Sequence, residues 1–268
     1  MPAGAPDGVR PCVLVFAGAD PSGGAGLAAD ILAIHAQGAH ALPVVTALTV
    51  QDNERVHDVL PVDADVVLRQ ARALTARTVI AAVKIGIPGS AANAQAIAQV
   101  LHELRAQHGA LPVVLDPVLA SGHGDLLSRG DAAAALAPLL ALATVLTPNG
   151  PEARALAAIA GADAVQAARA LHARSGAHVL LTGGHEAGEG AADDVVNRWF
   201  AAGCERSWRW PRLPGAFHGS GCTLAAALAA QLAAGVPLAQ ALERAQRYCH
   251  GTLAHAFAIA PGQRIPLR

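Results

Sequence analysis

Short runs of apolar and β-branched residues alternate along this chain with longer stretches that are rich in alanine and leucine. The short runs predict seven strands, at residues 13–17, 43–50, 79–85, 112–116, 144–146, 178–181 and 195–200. The longer stretches predict helices at residues 26–37, 64–76, 91–108, 132–142, 164–175, 222–234 and 238–256. The strands are apolar on both faces, which is typical of a mostly parallel sheet covered by helices. We therefore predict an α/β fold with three layers, in which the central sheet is flanked by helices.

The last predicted strand belongs to a different pattern. Residues 195–200 and 207–210 flank a short connection at 201–205, and this arrangement predicts a small antiparallel hairpin at one edge of the sheet. The hairpin carries Trp199, Trp208 and Trp210, which we expect to cover the sheet or to contribute to a dimer contact. No linker or internal repeat interrupts the chain, so we predict a flexible N-terminus at residues 1–10 and a single domain over residues 11–268.

Composition excludes several classes of protein. Hydrophobic residues make up 53% of the chain and charged residues 15%, which indicates an ordered core. The formal net charge of -1 gives no electrostatic support for binding nucleic acid or an anionic membrane. The chain shows no secretory-signal pattern, no apolar run of about 18 residues and no CxxC pair. We therefore expect a cytoplasmic protein with reduced thiols and no membrane or nucleic-acid partner.

Ligands of open α/β sheets bind beyond the carboxyl ends of the strands, so the loops after the strands are informative. The first such loop reads AGADPSGGAG, at residues 17–26. Residues 24–29 fit the loose dinucleotide-binding pattern GxGxxA, but Asp20 and its neighbours lengthen the turn, and Asp52 is a weak candidate for the acidic partner. We favour a loop that closes over a small substrate, because Asp20 offers a carboxylate and glycines let the backbone approach a ligand. A dinucleotide site and a plain glycine turn are the alternatives.

A second glycine-rich segment precedes the helix at 222–234. Its backbone N–H groups at Ser220, Gly221 and Cys222 are placed to bind an anion, and the helix dipole should lower the pKa of the Cys222 thiol. A phosphate loop of the type GxxxxGK[ST] is absent, because Lys84 is the only lysine. Backbone N–H groups would therefore hold any phosphate here, and simple packing of Cys222 is the alternative.

Two further loops allow two interpretations each. In TPNGPE, at residues 147–152, Asn149 and Glu152 suit either Mg²⁺ coordination or a helix cap with its glutamate three residues on. The loop at 181–196 suits either a bound nucleotide or a simple hairpin connection. Spacing alone does not choose between these interpretations.

Seven segments together resemble one known family. They are AGADPSGGAGLAAD (17–30), VVTALTVQDN (44–53), VKIG (83–86), VVLDPVLASG (113–122), LTPNGPEA (146–153), LLTGGH (180–185) and FHGSGCTLAAAL (217–228). In this order they resemble the ribokinase superfamily and, within it, the hydroxymethylpyrimidine/phosphomethylpyrimidine kinases of thiamin biosynthesis. The resemblance implies a ribokinase-like fold, a homodimer, and phosphorylation of the hydroxymethyl pyrimidine and then its monophosphate. It implies ATP and Mg²⁺ as cofactors, and leaves a K⁺ requirement open.

The resemblance also implies roles for individual residues. The residues that match the family's substrate site are Gly18, Asp20, Ala25, Thr49, Gln51, Ile87 and Val118, with Gln51 reading the polar edge of the pyrimidine. The anion hole matches Gly219, Ser220, Gly221 and Cys222, and Cys222 occupies the catalytic position where most sugar kinases of the superfamily carry aspartate. The ATP and phosphate site matches Asn149, Glu152, Thr182 and Gly184. Glu152 is implied to hold Mg²⁺, directly or through water, while the Cys222 thiolate accepts the proton of the substrate alcohol.

The chain departs from the family at two lysines. The family's lysine before the Ser121–Gly122 pair is missing, and Thr182 replaces the lysine of the family's KGGH. His123 or backbone groups would then meet the phosphate charge, which leaves open which of the two phosphorylations is efficient. We expect Lys84 to form a structural ion pair, and we single out His218 because it adjoins the anion loop.

Three alternatives accompany the pyrimidine kinase. A pyridoxal kinase of the same superfamily is compatible with Gln51. A non-catalytic pyrimidine sensor is suggested by the missing lysines, although the intact anion loop argues against it. A dinucleotide-dependent oxidoreductase is supported only by the GxGxxA pattern.

Overall fold

The computed structural model describes residues 9–120, 125, 131–159, 162–184 and 193–268. Within these residues, nine strands form one sheet in the order β3-β2-β1-β4-β5-β6-β7-β8-β9. The strands are β1 (Cys12–Ala19), β2 (His40–Gln51), β3 (Val56–Pro61), β4 (Ile80–Ile85), β5 (Val113–Leu115), β6 (Val145–Leu146), β7 (His178–Leu181), β8 (Asp194–Ala201) and β9 (Cys204–Pro211). The six strands from β2 to β7 in this order pair in parallel, which confirms the predicted central sheet.

Antiparallel strands close both edges of the sheet. β8 pairs with β7 and with β9, so the predicted edge hairpin is confirmed. The opposite edge carries β3, paired antiparallel to β2, and the sequence patterns did not predict this strand. Val59 is its only fully buried side chain, while His57 and Asp58 point polar groups to solvent. An edge strand buried on so little of its surface lacks the apolar run by which the other strands were recognised.

Helices cover both faces of the sheet. They are α1 (Gly26–Ala36), α2 (Ala64–Thr75), α3 (Ala91–His108), α4 (Ala132–Ala135), α5 (Ala137–Leu140), α6 (Gly150–Ala157), α7 (Ala164–Ser175), α8 (Ser220–Ala233) and α9 (Leu238–Ala254). The predicted helix at 132–142 is divided into α4 and α5, because Pro138 near the start of α5 cannot donate a helical hydrogen bond. α6 was missing from the predicted helices, although its cap was recognised as one interpretation of TPNGPE. No helix within the described residues is both long and apolar enough to cross a bilayer.

Alternate residues of the central strands face two separate cores. On β1, Leu14 and Phe16 pack with α2, α3, α5, α6 and α7. Val13 and Val15, on the opposite face, pack with α1, α8 and α9. All four side chains have no exposed surface. The three-layer arrangement is therefore confirmed, and it explains why the strands are apolar on both faces.

A buried asparagine on α3 joins three segments of the first core. The amide nitrogen of Asn93 lies 2.9–3.0 Å from the carbonyl oxygens of Thr46, Val62 and Pro88. Its side chain is fully buried, so water cannot replace these bonds if they are lost. Asn93 thus fixes the start of α3 against β2 and the segment that follows β3.

Replacement of Asn93 by alanine should lower the free energy of unfolding by about 2–3 kcal/mol, because buried carbonyl groups lose their donor. Urea unfolding followed by circular dichroism measures the change. Gln99→Ala, on the exposed face of the same helix, is the matched control and should cost no more than about 0.5 kcal/mol. Equal stability of the two variants would contradict this role of Asn93.

Candidate active site

The carboxyl ends of the parallel strands and the start of α8 meet at one edge of the sheet. β1 runs into the loop that contains Asp20, β5 ends next to Asp116, and β6 ends before Asn149. The start of α8 lies over this edge, since a Cβ built on Gly221 would be 3.6 Å from a carboxylate oxygen of Asp116. The predicted substrate, phosphate and catalytic residues are therefore brought to one side of the sheet.

The start of α8 depends on Gly219, because any other residue at this position would displace the neighbouring backbone. Gly219 is the N-cap, with φ of 80°, a left-handed conformation that favours glycine. A Cβ at this position would lie 2.0 Å from the carbonyl oxygen of Gly24, so the two glycine loops touch through their backbones. The first N–H groups of a helix have no acceptor within the helix. Those of Ser220, Gly221 and Cys222 are therefore placed as the predicted anion hole requires.

Cys222 lies between two helix starts. It is the third residue of α8, and the backbone N–H of Gly26, the first residue of α1, acts to lower the pKa of its thiol. Both helix dipoles thus favour negative charge at this position. The expectation of an acidified thiol is nevertheless wrong for the ligand-free protein. Burial raises the pKa of Cys222 to about 11, and although Lys84 opposes this shift, the negative groups of Asp30 and Asp116 add to it.

Lys84 forms the predicted ion pair beneath this position. Its Nζ lies 2.8 Å from Oδ2 of Asp30 on α1, and both side chains have no exposed surface. Burial alone would lower the pKa of Lys84, but the negative groups of Asp30, Cys222 and Asp116 together outweigh burial and raise the pKa above its ordinary value. Lys84 therefore keeps its positive charge under Cys222 and Asp116.

Asp116 was quoted within a family motif but was not predicted as a site residue. It follows β5 directly, and its Oδ1 accepts a hydrogen bond from the Thr147 hydroxyl at 3.3 Å. Its Oδ2 is buried and has no hydrogen-bond partner. Burial raises the pKa of Asp116 to about 6, against the opposing charge of Lys84. The available signal was an aspartate directly after a buried strand, at the edge where ligands bind.

Asn149 and Glu152 form the helix cap that was one of the two interpretations of TPNGPE. The Asn149 side chain accepts from the Glu152 N–H, and the Glu152 carboxylate accepts from the Asn149 N–H, both at 2.9 Å. Burial, together with the charge of Asp116, raises the pKa of Glu152 to about 8. The cap does not exclude the metal interpretation, because Glu152 and Asp116 repel each other in a buried position.

This pair of carboxyl groups fits a divalent cation. Asp116 has an unpartnered buried oxygen, and a cation would relieve the repulsion that raises the pKa of Glu152. In the described part of the chain, no group of three or more His, Cys, Asp or Glu side chains is arranged to hold a metal. Mg²⁺ is commonly bound by one or two carboxylates with water and substrate phosphates, so two carboxyl groups are sufficient.

The residues predicted to contact the pyrimidine lie together next to the first glycine loop. The Thr49 hydroxyl donates to the Ala19 carbonyl at 2.9 Å, and the Gln51 amide nitrogen donates to the Thr49 hydroxyl at 2.5 Å. Ile87 and Val118 pack against the same small apolar cluster next to β2. They form an apolar wall beside the polar end of Gln51.

Gly18 connects this wall to the catalytic position. A Cβ on Gly18 would meet the Ile87 side chain at 2.7 Å. A Cβ on Gly26, whose N–H acts on the Cys222 thiol, would meet the Gly18 carbonyl oxygen at 2.3 Å. The wall and Cys222 are therefore separated by two glycines in close backbone contact.

Asp20 lies in the expected loop, but its carboxylate is directed at the loop itself. It accepts from the Ser22 N–H and hydroxyl at 2.8 and 2.9 Å, and from the Ala25 N–H at 2.7 Å. His218 Nε2 lies 2.8 Å from the same carboxylate, whose side chain is 1% exposed. Burial alone would raise the pKa of Asp20, but the hydrogen bonds from His218 and Ser22 lower it. Asp20 and His218 thus join the two glycine loops, which corrects the expectation of a carboxylate offered to a ligand.

The predicted phosphate residues Thr182 and Gly184 follow β7. Thr182 forms an isolated parallel bridge with Asn149, and its N–H donates to the Pro148 carbonyl at 2.9 Å. Gly184 is exposed and has φ of 96°. The rest of this loop, at 185–192, lies outside the described residues, as do Ser121 and His123.

Comparison with known proteins shows the family of the chain. A family model described as "Phosphomethylpyrimidine kinase" matches residues 20–266. The hydroxymethylpyrimidine/phosphomethylpyrimidine kinase of Rhizobium meliloti is 40% identical over 261 residues, which cover 93% of each chain. The protein of the same name from Mycobacterium bovis is 38% identical and covers 98% of this chain and 95% of its own.

Two solved structures show the same fold. The ADP complex of Bacillus subtilis pyridoxal kinase superposes with a TM-score of 0.82 at 27% identity, over 96% of this chain and 97% of that one. The phosphomethylpyrimidine kinase of Clostridium difficile superposes with a TM-score of 0.73 at 27% identity, over 90% and 98%. The fold is ribokinase-like, as the sequence motifs implied. By the family match and by the identity to its relatives, the chain belongs to the phosphomethylpyrimidine kinase family.

Proposed function

We propose that this protein transfers the γ-phosphoryl group of ATP to 4-amino-5-hydroxymethyl-2-methylpyrimidine, to its monophosphate, or to both, in thiamin diphosphate biosynthesis. The observation that carries the proposal is the meeting of two helix starts at Cys222, next to Gly18, which contacts Ile87 of the apolar wall. One side of this arrangement accepts a flat polar ring, and the other accepts an anion. A phosphoryl group and an alcohol can therefore be held next to one thiol.

The anion hole would act on the phosphoryl group in transit. The N–H groups of Ser220, Gly221 and Cys222 point out of the start of α8, and the buried charge of Lys84 lies beneath them. Fixed donors of this kind stabilise the charge that builds up on the transferring oxygens without reorganisation during the reaction.

Asn149, Glu152, Thr182 and Gly184 would border the phosphates of ATP. Asn149 and Thr182 are held together by their isolated bridge, so β6 and β7 present one continuous rim. Glu152 and Asp116 would hold Mg²⁺, which supplies neutralisation of the β- and γ-phosphate charge when bound. A need for K⁺ is not proposed, because no described group of residues calls for it.

Cys222 would accept the proton of the substrate alcohol late in the reaction. With a pKa of about 11 in the ligand-free protein, the thiol is almost fully protonated near neutral pH. In a loose phosphoryl-transfer transition state the alcohol keeps its proton until the phosphoryl group has largely left ATP, so the small fraction of the protein that carries the thiolate can accept this proton late in the reaction. The thiolate becomes the thiol when it takes the alcohol proton, and the thiol releases this proton to solvent before the next turnover.

Pyridoxal is the second candidate substrate. The structural neighbours include the pyridoxal kinase of Staphylococcus aureus in complex with AMP-PCP and pyridoxal, at a TM-score of 0.81 and 26% identity. Relatives from Rhizobium meliloti, Haemophilus influenzae and Mycobacterium bovis, at 35–40% identity, are named as pyrimidine kinases, which favours the pyrimidine. Because these relatives are all kinases, neither a dinucleotide-dependent oxidoreductase nor a non-catalytic sensor is retained. The homodimer, the cytoplasmic location and the absence of membrane and nucleic-acid partners stay predictions.

The choice of substrate is tested by ADP release in the presence of ATP and Mg²⁺. The hydroxymethyl pyrimidine, its monophosphate and pyridoxal are supplied in turn at equal concentrations. We expect turnover with at least one of the two pyrimidines at a higher kcat/KM than with pyridoxal. Turnover with pyridoxal alone, or with none of the three, would overturn the proposed function.

Replacement of Cys222 by alanine should leave ATP binding largely intact and lower kcat by about 10²-fold or more, the usual range for a lost general base. Cys222→Ser keeps the size of the side chain and is the matched control for packing. Cys222→Asp supplies a group that is ionised at neutral pH and should retain more activity than either. Rapid-quench or coupled ADP assays measure kcat, and nucleotide titration measures binding.

The same variants give a pH test. Because the pKa of Cys222 is about 11, its thiolate fraction grows about tenfold per pH unit from neutral pH upward. The kcat of the unaltered protein should therefore rise with pH up to the limit of its stability, and that of Cys222→Asp should not. Near-normal turnover of Cys222→Ala would show that Cys222 takes no part in proton transfer. The same pH profile of kcat in the unaltered protein and in Cys222→Asp would show this too.

Asp116→Asn should raise the Mg²⁺ concentration needed for half-maximal activity by about tenfold or more, because the cation loses a buried carboxylate. Asp65→Asn, on the exposed start of α2, is the matched control and should leave the Mg²⁺ dependence unchanged. Thermal melts of both variants show whether the fold is retained. If the unaltered protein, Asp116→Asn and Asp65→Asn all show the same Mg²⁺ dependence, the metal role of Asp116 is contradicted.

A further inference from the structure

The side chain of Arg268 lies behind the anion hole and has no assigned role. Its Nε donates to the Thr223 hydroxyl at 2.8 Å, and one terminal nitrogen donates to the carbonyl oxygens of Gly24 at 2.6 Å and Gly219 at 3.3 Å. One guanidinium group therefore contacts the first turn of α8 and both glycine loops. These are the two loops whose helix starts meet at Cys222.

The contact at Gly219 determines where the next N–H group points. The Gly219 carbonyl oxygen also accepts from the Thr223 N–H at 3.0 Å and from the Thr223 hydroxyl at 2.8 Å. In a trans peptide unit the C=O and the following N–H point in opposite directions. The donors of Thr223 and Arg268 on one side thus direct the Ser220 N–H to the other side, where the anion would bind.

The contact at Gly24 holds the second helix start in place. Gly24 precedes Ala25, the N-cap of α1, and the backbones of Gly24 and Gly219 are in close contact. Neither glycine has a side chain with which to fix this contact. Arg268 supplies the missing link, because the same nitrogen bonds to both carbonyl oxygens.

Arg268 also contributes charge. It is partly buried, and burial lowers its pKa, but a guanidinium group stays protonated at neutral pH. Its charge interacts with Cys222 and Asp30. It therefore adds to the positive potential at the two helix starts, in a chain that lacks two of its family's lysines.

We propose that Arg268 is a positioning residue for phosphoryl transfer, which holds the Gly219–Ser220 peptide against the start of α1 so that the Ser220 N–H faces the transferring group. It acts through the anion hole and touches no reactant itself. This inference rests on the proposed kinase function, since it assigns a task within that reaction.

Steady-state kinetics of Arg268→Met and Arg268→Lys test the inference. Arg268→Met should lower kcat by about 10-fold to 100-fold, with the KM for the pyrimidine changed by less than about threefold, because the pyrimidine wall is not touched. Arg268→Lys keeps the positive charge but not the forked geometry of the guanidinium group. Its kcat should lie between that of the unaltered protein and that of Arg268→Met. Arg264→Met is the matched control, because Arg264 lies in the same segment but its side chain bonds to the Ala256 carbonyl; its kcat should stay near that of the unaltered protein.

A second measurement does not depend on kinase activity. Iodoacetate and iodoacetamide alkylate thiols in the same way, but only iodoacetate carries a negative charge. The ratio of their rates at Cys222, followed by peptide mass spectrometry, reports the anion-attracting power of the site. Arg268→Met should lower this ratio several-fold at Cys222 and leave it unchanged at the exposed Cys204.

The two measurements separate the possible failures. If no substrate is turned over by the unaltered protein, the proposed function fails, and the alkylation ratio still tests Arg268. If Arg268→Met folds and keeps both its kcat and its alkylation ratio, the positioning role is overturned. A loss of kcat that Arg264→Met shares to the same extent would also overturn it, because the effect would then be one of general stability.

Discussion

The site is built over the buried ion pair of Lys84 and Asp30. These two side chains join β4 to α1 with no exposure to water, in a layer that also contains Asp116 and the sulfur of Cys222. A buried pair of this kind is weak evidence for stability, because desolvation offsets most of the attraction. Its consequence here is electrostatic. The charge of Lys84 opposes the rise in pKa that burial causes at Asp30, Asp116 and Cys222.

The pattern of the sequence is sufficient for the layers and for the place of the site. Strands buried on both faces have to be apolar throughout, and glycines are needed where two loops come into backbone contact, so both leave a local signal. β3 leaves no such signal, because an edge strand buries little. The pKa of Cys222 was predicted with the wrong sign, since a helix start is visible in the sequence while the burial that outweighs it is not.

Arg268 illustrates the same limit at longer range. Arg268 lies 244 residues from Gly24 in the chain, yet it donates a hydrogen bond to the Gly24 carbonyl, and no local pattern predicts that contact.

At TPNGPE the sequence was ambiguous for another reason. The Asn149–Glu152 spacing completes a helix cap and also places two oxygen-bearing side chains at the edge where ligands bind, so one spacing suits both tasks.

The close contact of Gly24 and Gly219 limits how this site can change. At most contacts between side chains, an enlargement on one side can be offset by a reduction on the other. Here both partners are backbone, and a Cβ on Gly219 would lie 2.0 Å from the Gly24 oxygen. Neither residue has an atom left to give up, so no second substitution at the contact can rescue the first. Variation that alters substrate choice is therefore confined to the surrounding walls, while the two loops can vary only by moving together.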